Sequence, residues 1–250
     1  MQFSKYSASG NDFVIFYTFL EADRSELAKK LCHRQFGIGA DGLVVILPGD
    51  KKEEYDFKWQ FYNSDGSEAA MCGNASRAVA HYAFINGLCK KSTKFLTKAG
   101  IIEAEVEGDI VESALSETKI LKEEFEESGF TWSFYDTGVP HLVTFVDDLN
   151  AYDKKLCIYM RNKYNANVNY AKLEKGKMYV RTYERGVEDE TLACGTGMAA
   201  CFFSALRKKL IGNFIEVYPK SQERLILSYK NNKIYFKGKV VKVFDIIEYI

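Results

Sequence analysis

Three absences narrow what this chain can be. Prolines occur only at positions 48, 140 and 219, and there is no low-complexity or Pro/Ser-rich stretch, so no linker or hinge is evident. Lysine and arginine total 34, as do aspartate and glutamate, so the formal net charge is zero. This balance argues against a broad surface for nucleic acid or for anionic membranes.

Membrane and export signals are also lacking. Residues 1–10 contain no basic segment that leads into an apolar one, which argues against a secretory signal. The most apolar early run, residues 13–20, is far too short to span a bilayer. We therefore expect a cytoplasmic protein.

Cysteine is better represented, but the spacing of the cysteines is not typical of a disulfide framework or of a metal site. The six cysteines stand at positions 32, 72, 89, 157, 194 and 201, and no two form a C-x-x-C pair. Disulfides are not expected in a reducing cytosol. Zinc is not expected either, because Cys32 and His33 are adjacent and no second ligand pair has finger-like spacing. We expect no metal, and most of the thiols to be buried as small hydrophobes.

Short segments rich in β-branched and aromatic residues predict a protein dominated by strands. Strands are predicted over residues 13–17, 43–47, 57–62, 101–106, 141–146, 179–183, 215–218, 225–228, 234–237 and 240–243. Three helices are predicted, over residues 25–34 with a Ser25 cap, 72–86 and 195–208. The last two are rich in small residues and apolar nearly all round, which indicates helices buried among strands.

The two buried helices begin alike. Ser67-Glu68-Ala69-Ala70-Met71-Cys72-Gly73-Asn74 stands beside Asp189-Glu190-Thr191-Leu192-Ala193-Cys194-Gly195-Thr196. In each, an acid precedes by four residues a Cys-Gly-polar step that opens an alanine-rich helix. We interpret the pair as a weak internal repeat, with one copy in each of two similar lobes.

Cysteines at two helix starts favour acid–base chemistry. The helix dipole and the unpaired N–H groups of the first turn lower a thiol pKa from about 8.5 toward neutrality and bind a carboxylate. Inverting a stereocentre needs a base on one face and an acid on the other, and a thiolate–thiol pair supplies both. Simple core packing is the better interpretation for a lone cysteine, and we accept it for Cys32, Cys89, Cys157 and Cys201. For Cys72 and Cys194 the matched context favours catalysis.

Nearly the whole chain resembles the diaminopimelate epimerase family. The matching strings are Gly10-Asn11-Asp12-Phe13, Gly37-Ile38-Gly39-Ala40-Asp41-Gly42, Tyr62-Asn63-Ser64-Asp65-Gly66-Ser67, Met71-Cys72-Gly73-Asn74, Pro140-His141, Asn167-Val168-Asn169, Tyr183-Glu184-Arg185-Gly186 and Ala193-Cys194-Gly195-Thr196-Gly197. No single tetrapeptide is decisive, but their joint order and spacing are specific.

The resemblance implies an α/β (α+β) fold of two pseudo-symmetric lobes, each a curled, mostly antiparallel sheet around a central helix. We expect one lobe over residues 1–113 with about 240–250, and the other over 114–239. It also implies a homodimer that interconverts LL- and meso-2,6-diaminopimelate with Cys72 and Cys194 as the acid–base pair and with no cofactor.

Roles for further residues are implied in the same way. The resemblance assigns the distal end of the substrate to Asn11, Asn63, Asn169, Glu184 and Arg185, and its reacting carboxylate to Gly73, Asn74, Gly195 and Thr196. His141, supporting catalysis with Glu184, matches a histidine close to the reacting centre, although a satisfied loop histidine is the alternative. One departure is Val139, where the family usually has an asparagine that hydrogen-bonds substrate.

Other functions fit the sequence less well. Gly37, Gly39 and Gly42 match a dinucleotide-binding fingerprint, but they follow a helix and open a strand, which is the reverse of the required order. A cysteine hydrolase with His141 as its base would use one cysteine and leave the other idle. Proline or hydroxyproline racemases share the paired cysteines but lack the asparagine-rich pocket. A catalytically inactive relative is disfavoured because both cysteines are present.

Overall fold

The computed structural model describes residues 1–50, 52–115 and 117–247. The chain divides into two compact units, Met1–Ala114 with Gly238–Ile250, and Leu115–Lys237. The end of the predicted first lobe, residues 248–250, lies outside the described residues. Among the described residues, no helix combines the length and the apolar character needed to cross a membrane.

Over its described residues, the first unit holds eight strands and two helices. These are β1 (Gln2–Ala8), β2 (Asn11–Tyr17), α1 (Ser25–Cys32), β3 (Gly42–Pro48), β4 (Phe57–Asn63), α2 (Gly73–Ile85), β5 (Ser92–Thr97), β6 (Gly100–Glu107), β7 (Ile110–Ala114) and the last strand of the chain, β17 (Val241–Ile247). The strands are hydrogen-bonded in the order β17-β1-β2-β3-β4-β5-β6-β7.

The second unit repeats this arrangement with new strands. It contains β8 (Lys119–Glu127), β9 (Phe130–Asp136), β10 (Pro140–Phe145), α3 (Lys154–Tyr164), β11 (Asn167–Glu174), β12 (Lys177–Glu184), β13 (Asp189–Glu190), α4 (Gly195–Arg207), β14 (Phe214–Tyr218), β15 (Leu225–Lys230) and β16 (Lys233–Lys239). Its main order is β8-β9-β10-β11-β12-β14-β15-β16, and the short β13 pairs with β12.

Strand directions match one for one along the two orders. In each, two antiparallel pairings are followed by a parallel, an antiparallel, a parallel and two more antiparallel pairings. Parallel neighbours need a crossover connection, and a helix occupies each of them: α1, α2, α3 and α4. The predicted α/β class, mostly antiparallel with a central helix in each half, is confirmed.

Helices α2 and α4 lie in the core of their units. In α2 all residues from Gly73 to Ala83 are buried, against β1, β2, β6 and β7 among others. Helix α4 packs on β9, β10, β11 and β12. Alanine, glycine and serine line much of both helices, and these small side chains let the surrounding strands approach closely.

The predicted elements coincide with observed ones, with instructive differences. Each of the ten predicted strands falls on an observed strand, overrunning it by at most one residue. The Ser25 cap is wrong, because Arg24 occupies the cap position of α1 and Asp23 accepts hydrogen bonds from Ser25. Helix α3 was not predicted. It buries only Cys157 and Met160, so its apolar stripe is too narrow to stand out in the sequence.

Candidate active site

Both predicted cysteines occupy the N-cap of a core helix. Cys72 precedes α2 and Cys194 precedes α4, each with extended backbone dihedrals and with no side-chain capping hydrogen bond. The two sulfurs therefore do not cap their helices. Each sulfur lies at the N-terminal end of its helix, where the N–H groups of the first turn have no partner within the helix. Cys72 is half-buried and Cys194 is buried, at 7% exposure.

The approach to each cysteine is built in the same way. Tyr62 pairs antiparallel with Glu68 in the first unit, and Tyr183 pairs with Glu190 in the second. In both cases the backbone turns back from a strand through this tyrosine–glutamate pair and reaches the cysteine four residues later. The predicted repeat is thus a repeat of backbone conformation as well as of sequence.

The acid of this motif is tied down in the second unit. Arg181 donates two hydrogen bonds to the Glu190 carboxylate, with Nε at 2.6 Å and Nη2 at 2.9 Å, and Lys220 donates a third at 2.9 Å. Burial alone would raise the pKa of Glu190, but these cations outweigh it and the pKa lies below the ordinary value. Glu190 therefore stays ionised and anchors the segment that leads to Cys194.

In the first unit the polar residues near Cys72 form a directed chain. Arg77, fully buried, donates to Asn74 Oδ1 at 2.7 Å, so the amide nitrogen of Asn74 must point the other way. Asn74 Nδ2 donates to Asn11 Oδ1 at 2.5 Å, and Asn11 Nδ2 in turn donates to Asp41 Oδ2 at 3.0 Å. Two predicted substrate residues, Asn11 and Asn74, are thereby held in fixed orientations.

Asn63 lies apart from this chain. It is exposed at the end of β4, and its Nδ2 donates to Ser67 Oγ at 3.0 Å. The Asn63 side chain is therefore accessible from solvent.

At the corresponding end of β12 stand the predicted Glu184 and Arg185, both half-buried. Glu184 Oε2 accepts from the Thr191 hydroxyl at 2.8 Å. The backbone N–H of Arg185 donates to Asn167 Oδ1 at 2.8 Å, and its guanidinium donates to Asn165 O at 2.9 Å. A carboxylate and a guanidinium thus stand on consecutive residues where β12 ends.

His141 and Asn169 are buried rather than open to a ligand, at 0% exposure each. His141 Nε2 lies 2.9 Å from Thr196 Oγ1, and its Nδ1 lies 3.2 Å from Asn169 Nδ2. The Asn169 amide also donates to Leu142 O and accepts from Thr182 Oγ1, each at 2.8 Å. Asn169, predicted to touch substrate, uses its amide within the protein.

Gly197 lets α4 approach this cluster. A Cβ at that position would overlap Asn169 Oδ1 and lie 3.1 Å from Thr182 Oγ1. The absence of a side chain at Gly197 therefore lets the start of α4 pack closely against β11 and β12. Gly73, Asn74, Gly195 and Thr196, all predicted to hold a carboxylate, lie in the first turns of α2 and α4, where backbone N–H groups have no intrahelical partner.

Burial makes His141 a neutral imidazole. Burial, aided by the nearby positive charge of Arg185, lowers the pKa of His141 from 6.5 to about 3. As the pH falls, His141 is therefore protonated in the unfolded chain before it is protonated in the folded protein. Protonation favours the unfolded chain, so stability is lost as the pH falls below 6.5, the ordinary pKa of histidine.

From this pKa difference we expect the free energy of unfolding to fall by about 2 kcal/mol, through His141 alone, between about pH 7.5 and about pH 5. Urea unfolding at both pH values measures it, and the His141→Gln variant should lose correspondingly less. Equal pH dependence in the two proteins would show that His141 is not buried as a neutral group. His81, whose pKa burial also lowers, is present in both proteins and cancels in the comparison.

The other four cysteines are unsuited to this chemistry. Burial raises the pKa of Cys32 and of Cys157 to about 12, and also raises the pKa values of Cys89 and Cys201. The described residues contain no group of three or more His, Cys, Asp or Glu side chains placed to hold a metal ion.

Among the described residues, Arg77, Asn167 and Thr182 hydrogen-bond to predicted site residues but were not themselves predicted from the sequence. Arg77 was detectable as a charged residue on a helix that is otherwise apolar all round. Asn167 was detectable because strand alternation puts it on the same face as Asn169. Thr182 gave no signal, since a threonine in a strand is ordinary.

The fold and the helix-start cysteines define a class of protein. A probable proline racemase from Agrobacterium radiobacter K84 superposes with a TM-score of 0.78, at 11% identity over 100% of this chain and 93% of its own. A hydroxyproline epimerase from Agrobacterium vitis gives 0.74, at 13% identity over 98% and 91%. The chain therefore has the two-domain fold of the amino-acid racemases.

Sequence comparison identifies the family within that class. The sequence model of the diaminopimelate epimerase family matches residues 3–119 and 133–243. A diaminopimelate epimerase from a Nitratiruptor species is 61% identical over 98% of this chain and 97% of its own length. The chain belongs to the diaminopimelate epimerase family, which is a family of isomerases.

Proposed function

We propose that this protein interconverts LL- and meso-2,6-diaminopimelate by two-base proton transfer, with Cys72 and Cys194 as acid and base. The observation that carries the proposal is the matched placement of the two cysteines. Each is the N-cap of a core helix, reached through the same tyrosine–glutamate turn in a repeated strand order. The family to which the chain belongs supplies the substrate.

The proton transfer balances without a cofactor. One cysteine, as thiolate, removes the α-proton, so that an S–H bond forms while the C–H electron pair is left on the carbon. The other cysteine, as thiol, delivers its proton to the opposite face, so that a C–H bond forms and a thiolate remains. The two sulfurs exchange protonation states, and the reverse reaction uses them in the opposite roles.

The helix starts would stabilise the intermediate. Negative charge spreads from the carbanion into the adjacent carboxylate. The first-turn N–H groups of Gly73, Asn74, Gly195 and Thr196, which have no partner within their helices, suit that carboxylate. Because these donors are already in place before reaction, little reorganisation is needed as charge develops.

The distal amino-acid end carries an ammonium and a carboxylate. We propose that Arg185 pairs with the carboxylate, and that Glu184 with the oxygens of Asn11 and Asn63 accepts from the ammonium. Asn169 acts on the site indirectly, by holding His141 through a hydrogen bond to Nδ1. Val139 adds no polar side chain at the position where the family usually has asparagine.

An assay of the purified protein with LL-diaminopimelate and no added cofactor tests the proposal. Formation of the meso isomer is expected, with no inversion of D- or L-proline in parallel reactions. Inversion of proline with diaminopimelate untouched would establish the related racemase instead.

We further propose that the protein works in the cytoplasm, where its two catalytic thiols stay reduced, and as a homodimer. The dimer proposal is supported by β17, whose residues from Val241 to Asp245 are all exposed, including the apolar Val243 at 51% and Phe244 at 43%. An apolar strand left this open invites pairing with another chain.

If β17 forms the dimer contact, Val243→Lys should shift the protein from dimer to monomer in light scattering after size exclusion. Leu210→Lys, which places the same charge on an exposed apolar residue outside β17, is the control for a general charge effect. A monomeric wild-type protein would contradict the dimer proposal. A Val243→Lys variant that stays dimeric would show that β17 is not part of the dimer contact.

A further inference from the structure

The hydrogen bonds around His141 have a direction that the structure fixes. Asn169 Nδ2 lies 2.8 Å from Leu142 O, which can only accept, so this side of the amide must be the NH₂ group. The Thr182 hydroxyl then donates to Asn169 Oδ1. Turning the amide over would set two carbonyl oxygens against each other at 2.8 Å.

This orientation fixes the histidine tautomer. The same Asn169 NH₂ group faces His141 Nδ1 at 3.2 Å, so Nδ1 must accept and carries no proton. A buried neutral imidazole carries one proton, which must then be on Nε2. The amide of Asn167 also lies near Nε2, but at the 3.5 Å limit of a hydrogen bond, whereas Asn169 Nδ2 lies 3.2 Å from Nδ1, so the Asn169 contact decides the tautomer.

The tautomer in turn orients Thr196. His141 Nε2–H donates to Thr196 Oγ1 at 2.9 Å, so the threonine oxygen accepts there and its own proton points elsewhere. Among the described residues, this hydroxyl also contacts Cys194 Sγ, at 3.6 Å. Hydrogen bonds to sulfur are longer than those to oxygen, and this distance fits O–H···S.

We propose that the Thr196 hydroxyl donates a hydrogen bond to Cys194 Sγ and so stabilises the thiolate, with His141 and Asn169 as positioning residues that fix the direction of this bond. The hydrogen bonds run from Asn169 to His141, from His141 to Thr196 and from Thr196 to Cys194, and each group donates to the next. It rests on the proposed function only in treating Cys194 as a base. It gives Cys194 a thiolate-stabilising donor from a side chain, in addition to its helix dipole.

The opposite direction makes the opposite prediction. If Thr196 donated to His141, its oxygen would accept from the Cys194 S–H and would stabilise the thiol. Removing the hydroxyl would then favour thiolate. The sign of the change in the Cys194 pKa therefore decides between the two directions. Two charges near the end of β12, Glu184 and Arg185, act on the same region and are unchanged in every variant below.

The test is a titration of thiolate absorbance in the ultraviolet, in a Cys72→Ser background. The four remaining cysteines do not interfere near neutral pH, because burial raises all their pKa values. Thr196→Val, which keeps the shape and the backbone but lacks the hydroxyl, should raise the Cys194 pKa by about one unit, with about tenfold less thiolate at a pH below it. Thr196→Ser should restore the wild-type value.

Thr137→Val is the matched control. Its hydroxyl donates to the backbone carbonyl of Thr196 at 2.9 Å rather than to the sulfur, so the shift should be much smaller. A Cys194 pKa that falls or stays constant in Thr196→Val overturns the proposal, as does an equal shift in Thr137→Val.

Nitrogen-15 NMR of the unsubstituted protein checks the first part of the chain without any variant. The His141 signals should show an unprotonated Nδ1 and a protonated Nε2, and the reverse tautomer overturns the proposal. Neither measurement uses substrate. If the protein epimerises diaminopimelate but fails these tests, only this proposal is wrong. If it passes them without epimerising diaminopimelate, only the proposed function is wrong.

Discussion

Replacing either Cys72 or Cys194 by alanine is expected to reduce diaminopimelate epimerisation about 10⁴-fold, in both directions. Each direction needs one thiolate and one thiol, so the loss of either sulfur removes an acid or a base whose contribution is typically about 10²- to 10⁴-fold. The two losses should be similar, because the two cysteines exchange roles when the direction reverses. Initial rates with LL and with meso substrate measure this.

Cys89→Ala is the matched control for these substitutions. Cys89 is half-buried, as Cys72 is, and lies in the same unit, but it follows a helix rather than preceding one. Activity close to wild type is expected from it. If Cys72→Ala or Cys194→Ala retained a rate within about tenfold of wild type, the two-base account would be wrong.

Gly197→Ala is expected to cost both stability and activity. The new methyl group would overlap Asn169 Oδ1. That oxygen accepts from Thr182 Oγ1, and the amide nitrogen of the same side chain donates to Leu142 O, so the amide has little freedom to move. Either α4 shifts outward, carrying Cys194 with it, or Asn169 moves and releases His141. Overpacking of this kind typically costs about 1–3 kcal/mol.

Gly212→Ala is the control, because a Cβ at that position meets nothing within 4 Å. Urea unfolding and kcat should separate the two variants, with kcat falling in Gly197→Ala and not in Gly212→Ala. If both glycine variants behaved like wild type, the close approach of α4 to β11 and β12 would not support the site.

The features best predicted from sequence were those with a local cause. Helices α2 and α4 announce themselves through a Cys-Gly-polar start followed by buried small residues, and their N-caps fall on the two cysteines that were predicted. The glycines at 37, 39 and 42 were correctly placed between a helix and a strand. The repeat was visible because the acid, the cysteine, the glycine and the polar residue recur at the same spacing.

Features that depend on long-range pairing were less visible. Strand β8 is exposed along most of its length, so it lacks the alternation that marks a half-buried strand. Asn169 is another case, because its motif placed it with the substrate residues while its contacts come from the two strands beside its own. Which way an amide or an imidazole points is settled only by the acceptors around it, and the sequence does not show those.

Arg77 illustrates the same limit. A charged residue in the middle of a buried helix is a visible anomaly, but its partners Ser9 and the Lys239 carbonyl come from distant parts of the chain. Only the fold shows that it orients Asn74, and through it Asn11.

The most direct test of the central claim is the position of the label when LL-diaminopimelate is turned over in deuterated water to low conversion. If two thiols act from opposite faces, the meso product carries one solvent deuterium at the inverted carbon, while the recovered LL substrate carries none. A product that keeps its original protium, or equal labelling of substrate and product, would show that a single base serves both faces and would contradict the account.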